Sequence, residues 1–195
     1  MILPDLMSPS SENEFSRYEF KYLLNANQRE SVENEVQNFM EYDGHVRIDL
    51  KSSYYVRSLY FDNTEATHFY EKIDGVRVRK KFRVRTYDRN IEDRLPIYLE
   101  EKGRFIERTY KNRIKLNHEH LALFENPERH AELLKLYSND EVIERFVFSS
   151  IRHRLLPRVL VDYVRRPYVS NYDLNFRVTF DSELEVSTPQ LSYTA

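Results

Sequence analysis

Arg83 and Arg85 stand two residues apart in KKFRVRTYD, a stretch that begins at Lys80. On a strand, residues i and i+2 share a face. Arg83, Arg85 and Tyr87 therefore point one way, and Phe82, Val84 and Thr86 point the other. One face suits a core and the other is cationic. Paired guanidiniums grip anions, because each planar fork meets two oxygens of a phosphate or carboxylate at once. The same parity recurs along the chain. RYEFKYLL offers Arg17, Glu19 and Lys21. IYLEEK offers Tyr98, Glu100 and Lys102. The stretch after Gly103 offers Glu107, Thr109, Lys111 and Arg113. VDYVRRP offers Tyr163 and Arg165, and NFRVTFD offers Arg177, Thr179 and Asp181.

A solvated sheet face is the simpler reading of any one such strand, since antiparallel sheets often keep one side wet. Its repetition argues for more. A wet face mixes Ser, Thr and Gln with both signs of charge, whereas here Arg and Lys predominate. Crowded cations repel unless an anion sits among them. A sheet curled around that face would form a barrel lined by cations, suited to a chain of phosphates. Glu19, Glu100 and Asp181 share the lining. For each, a salt bridge is the simpler role; the other is to help hold a divalent ion, since Mg²⁺ and Mn²⁺ take carboxylate and phosphate oxygens together.

Other chemistries are excluded. The chain has no cysteine, so disulfides, Cys-based zinc sites and a thiol nucleophile are ruled out. With 3 glycines there is no Walker-type phosphate loop. The histidines (His45, His68, His118, His120, His130 and His153) form no ligand pattern. The formal net charge of −2 gives no global basic field, so non-specific nucleic-acid binding is not expected.

The elements that must position these residues follow from period and punctuation. A first strand is expected over Ser16–Leu24. Asn25 or Asn27, with Gln28 or Glu30 three residues on, can form a capping box for a helix with Val32, Val36, Phe39 and Met40 as its apolar stripe. YYVRSLYFDN reads as a second strand. TEATHFYEKIDG reads as a short helix closed by Gly75, and VRVRKKFRVRTYD as a long strand. LPIYLEEKG and RFIERTYKNRIKL flank Gly103 as a hairpin. Asn126-Pro127 opens one helix. Ser138 with Glu141 caps another, whose buried face is Val142, Ile143, Phe146, Val147 and Ile151 and which Pro157 ends. RVLVDYVRRPYV and NFRVTFDSELEV are the last strands.

A chain of 195 residues suits one domain with a real core. Its aromatic share of 14%, with so little glycine, favours strands bearing large side chains. No apolar run approaches a membrane span. MILPDLMSPSSENEF lacks a basic n-region and an apolar h-region, so it reads as a loose leader and not a signal peptide. The expected organisation is a leader at 1–15, one α+β domain at 16–186 with helices outside an antiparallel sheet, and a tail at 187–195.

RYEFKYLL, RSLYFDN, KFRVRTY, YLEEKGR, PRVLVDYVRRPYV and FRVTFDSEL, in that order, resemble a VTC-type domain, the polyphosphate-polymerase branch of the triphosphate tunnel (CYTH-like) metalloenzymes. The resemblance implies an antiparallel β-barrel tunnel that binds ATP, tripolyphosphate or polyphosphate with Mn²⁺ or Mg²⁺. It implies phosphate binding by Lys21, Arg83, Arg85, Lys102, Lys111, Tyr163, Arg165 and Arg177, with Glu19 and Glu100 toward the metal. The implied reaction moves the γ-phosphoryl group of ATP onto polyphosphate without a protein nucleophile. The alternative is a non-catalytic module that senses polyphosphate. The family's pattern continues with strands bearing a metal-binding glutamate and another lysine, so this chain is expected to lack the last strands. RYEFK has one glutamate before its lysine where hydrolytic tunnel enzymes use two, which favours the polymerase-like branch. Relatives can be joined to membrane proteins, so a cytoplasmic location is expected, at a membrane's inner face if such a partner anchors the chain.

Overall fold

The computed structural model describes residues 19–43, 50, 52–87, 96–106 and 108–189. Arg17, His45, Glu107, the leader and the end of the tail lie outside these residues.

The strands are β1 (Met40–Tyr42), β2 (Tyr54–Asp62), β3 (Val78–Thr86), β4 (Ile97–Phe105), β5 (Arg108–Leu116), β6 (Leu156–Ser170) and β7 (Arg177–Ser187). All pair antiparallel in one sheet. β2, β3, β4 and β5 form a meander, and β6 returns to lie beside β2. The 15-residue β6 is the hub: β2 pairs with its first part, β1 with its last residues, and β7 with its middle and end. The sheet curls into a half-barrel.

Alternation along these strands makes two faces, as the sequence predicts. Leu59, Phe61, Phe82, Val84, Ile97, Leu99 and Leu116 are buried on one face. Against them packs α5 (Glu141–His153), through Val142, Ile143, Phe146 and Val147, with α3 (Leu121–Glu125) and α4 (Leu133–Leu136) beside it. Phe146 meets Phe61, Phe82 and Phe124 ring to ring, 5.1–5.5 Å between centroids. Buried rings of this size supply much of the core energy. Two ion pairs also lie on the helix side: Arg57 on Asp162, and Arg145 of α5 on the buried Glu101. His130, fully buried, bonds Ser150 and the Phe124 carbonyl. α1 (Ala26–Val36) packs at the other end of the sheet, where Arg166 and Tyr168 of β6 donate to its buried Glu33.

Several expectations change. The described part of the first strand, Glu19–Leu24, has no strand pairing, and Phe20, Tyr22 and Leu23 are exposed. Alternation alone does not make a strand; an edge must pair with it, and the edges of β5 and β7 carry no partner among the described residues. Of the two capping boxes considered, Asn25 with Gln28 forms. The helix ends at Val36, so Met40 starts β1 instead, and Val32 and Phe39 stay exposed. Gly103 is not the turn. It lies within β4 opposite Tyr110, whose ring occupies the space a Cβ would need; the chain reverses after Phe105, with Ile106 at φ 58. α2 (Thr67–Ile73) closes at Gly75, φ +68, as expected. Asn126 caps a six-residue 3₁₀ stretch, Pro127–Glu132, that precedes α4. Asp140, not Ser138, caps α5, because its carboxylate sits where the Val142 and Ile143 amides can donate to it. α5 ends at His153 with Arg154 left-handed, Ile151 is exposed, and Pro157 belongs to β6.

Candidate functional site

The face opposite the core carries the cations. Register fixes their layers. Tyr60, Arg83, Glu100 and Arg113 lie side by side across β2, β3, β4 and β5. One step along, Ser58, Arg85, Tyr98 and Lys115 do the same; one step the other way, Lys81, Lys102 and Lys111 align. Arg165 of β6 faces Tyr54 and Asp181. Arg85, Glu100 and Tyr163 are buried although the helical core lies behind the sheet, because the curl encloses them.

Glu100, with no exposure, is the centre of the cluster. Arg83 contacts its Oε2 through Nε at 2.7 Å and through Nη2 at 2.6 Å. Lys111 reaches Oε1 at 2.6 Å, and Arg85 approaches Oε2 at 3.8 Å. Burial opposes ionisation of Glu100, but Arg83, Arg85 and Lys111 outweigh it and hold the pKa at about 2. Arg83 also donates to the Tyr60 hydroxyl at 2.8 Å. Burial would raise that phenol, yet Arg83 and Lys81 pull its pKa down. Arg85 donates to Ser58 Oγ at 3.0 Å and to the Tyr163 hydroxyl at 3.2 Å. The Lys111 ammonium is pushed down by burial, against the pull of Glu100. Burial likewise lowers Lys81, with Arg83 and Lys102 adding repulsion against the pull of Tyr60. One buried carboxylate thus serves a crowd of cations, and the face remains electropositive.

The structure joins most of the expected site. Arg83, Arg85, Glu100, Lys111 and Tyr163 form one bonded group. Arg165 stacks over the Tyr163 ring at 5.2 Å and binds Asp181 through two 2.7 Å bonds. Lys102, one layer along, donates to Glu19 at 2.7 Å. Burial opposes ionisation of Glu19, but Lys102 and Lys21 hold its pKa at about 2. Lys21 itself stands apart: its side chain is 81% exposed and meets Glu19 at 3.4 Å. Arg177 also stands apart, at the start of β7, paired with Asp43.

Sequence reasoning missed Ser58, Tyr60 and Lys81. Parity applied to YYVRSLYFD would have found the first two, since both face Arg83 and Arg85 across β2 and β3. Arg57 obscures that pattern, because it is a cation on the opposite, core-side face. Both carboxylates considered for a metal are engaged by cations, and among the described residues no three His, Asp or Glu side chains converge as a metal site. They fit a metal only as secondary ligands to an ion already carried by phosphate oxygens, the usual habit of Mg²⁺.

A curled antiparallel sheet with helices behind it and a guanidinium-rich inner face around one buried glutamate is the architecture of an α+β tunnel fold. The family model for the VTC domain matches residues 16–192, and the chain belongs to that family, the tunnel-fold polyphosphate polymerases. Its function is therefore polyphosphate-related. No curated protein matches the chain. Among the described residues, no helix is long and apolar enough to cross a membrane.

Proposed function

We propose that the inner face binds a linear phosphate chain and transfers the γ-phosphoryl group of ATP onto it. The observation that carries this reading is the convergence of Arg83, Arg85 and Lys111 on the single buried Glu100, with Lys81, Lys102 and Arg113 in the adjoining positions. Arg83 and Arg85 would hold phosphate oxygens through the nitrogens turned from Glu100. Lys102 and Lys111 would hold the neighbouring phosphate, and Arg165 the chain beyond Tyr163. In the transfer, the bond from the γ-phosphorus to the β–γ bridging oxygen breaks. A terminal oxygen of the acceptor chain forms the new bond, and ADP leaves with the bridging oxygen. The residues orient both chains in line and offset charge on the moving group. A divalent ion, when bound, would supply further charge neutralisation, and Glu19 and Glu100 are the residues that would help hold it.

A second reading, a module that binds polyphosphate without turnover, is favoured by one observation: Glu19, Glu100 and Asp181 are each already paired with cations. Calorimetric titration of tripolyphosphate against orthophosphate at matched ionic strength, with and without Mn²⁺, tests what both share. Chain-selective binding is expected, and equal binding of the two anions overturns both. ATP consumption with lengthening of a polyphosphate primer then separates them: product supports transfer, and its absence with tight binding supports the sensor.

A further inference from the structure

One end of the sheet is apolar in a place where none of the described residues covers it. On α2, Phe69, Tyr70 and Ile73 are each more than half exposed. Beside them are the start of β3 and the end of β4, where Val78 pairs with Phe105 and the Ile106 amide donates to the Arg77 carbonyl. Val78, Phe105 and Ile106 are 41–47% exposed. In a chain with a charged share of 32%, such a run of large apolar side chains at one end is not an average surface.

Ile106 adds an independent observation. It holds φ 58, the left-handed region, at the reversal between β4 and β5. That conformation suits Gly or Asn and strains a β-branched residue. A buried contact could repay the strain, but Ile106 is 47% exposed. Its backbone is fixed by the Arg77 carbonyl and the Arg104 guanidinium, yet its side chain gains little burial in return, and an outlier of this kind motivates a functional hypothesis.

The charges around the patch select the partner. Among the described residues, Lys72, Arg77, Arg104 and Arg108 flank it, against Glu71 and Asp74 on α2. A second copy docked patch to patch would set these cations against one another, which disfavours a symmetric dimer. A bilayer with anionic headgroups accommodates both features, with rings and the Ile106 tip at the headgroup–acyl boundary and guanidiniums at the phosphates. We propose that the α2 and β4–β5 end docks on an anionic lipid surface.

Co-sedimentation of the full chain with vesicles of phosphatidylcholine, alone or mixed with phosphatidylserine, tests this. Binding to the mixed vesicles is expected, falling as salt rises. Each basic residue at such a surface adds about fivefold in partitioning, so Arg108→Glu should lower binding by at least that factor. Ile106→Asn is the decisive variant: thermal stability should rise, because strain is relieved, while vesicle binding falls several-fold. Ile106 lies outside the cationic inner face, so this loss also excludes attachment through that face. Unchanged vesicle binding by Ile106→Asn, or equal binding to both vesicle types, overturns the proposal. So does a concentration-dependent dimer that Ile106→Asn abolishes.

Discussion

At the scale of the residue, Glu100 decides how the inner face behaves. Its pKa in the fold is about 2, against an ordinary value of 4.5. A carboxylate depressed in this way stabilises the fold fully above its unfolded value, and the contribution is lost as pH falls through the folded one. Denaturation monitored between pH 6 and about 2 should therefore show stability dropping below about pH 4.5, by roughly 3 kcal/mol from this group. Glu100→Gln removes the anion and leaves Arg83, Arg85 and Lys111 facing one another. Loss of one partner from a buried pair costs about 3–5 kcal/mol. Tripolyphosphate should restore part of that loss, so its thermal shift should be larger for Glu100→Gln than for the parent. An equal shift would mean that phosphate does not enter this cluster. Arg85→Ala tests the opposite sign. Tripolyphosphate affinity should fall about tenfold or more by calorimetry, with a small change in melting temperature, because a crowded cation has been removed. Melting with unchanged affinity would assign Arg85 to the fold alone.

At the scale of the element, the two faces of β3 should respond oppositely to truncation. Phe82 is fully buried and meets Phe146 at 5.5 Å. Phe82→Ala should cost about 3–5 kcal/mol in denaturant unfolding and leave phosphate affinity unchanged. Periodicity made β3, β4, β5 and β6 legible, and with them Arg83, Arg85, Glu100, Lys111 and Tyr163, because each element has a core face that fixes its phase. It failed for Glu19–Leu24, where alternation is present but the segment pairs with neither open edge, and so Lys21 stands apart from the cluster. It also misplaced the β4–β5 reversal. Gly103 looks like turn chemistry, but its missing Cβ makes room for the Tyr110 ring across the strands. The phase of β2 is readable by the same parity, although Arg57 places a cation on its core-side face. Salt bridges at Glu19, Glu100 and Asp181 are the simpler reading from sequence; which cations they meet depends on register, which only the folded sheet supplies.

At the scale of the molecule, repulsion on one face is a standing tension. A net charge of −2 conceals it, because cations gather on the inner face while acids such as Glu33 and Glu101 serve the outer one. Linear phosphates should therefore raise the melting temperature more than sodium chloride at equal ionic strength. The gain should follow the logarithm of ligand concentration above the dissociation constant. A shift that sodium chloride reproduces would reduce the effect to general screening.

The hub strand has a consequence in time. β2 completes its hydrogen bonding only against β6, and Arg57 meets Asp162 across 105 residues. A ribosome adding about 5–20 residues per second leaves β2 waiting on the order of 5–20 s for that partner. The β3–β5 meander can close locally during the interval. During that wait, the edge of β2 destined for β6 is open to any strand in the vicinity. The nascent chain is most vulnerable to mispairing before β6 emerges, and the order of its elements makes that period long.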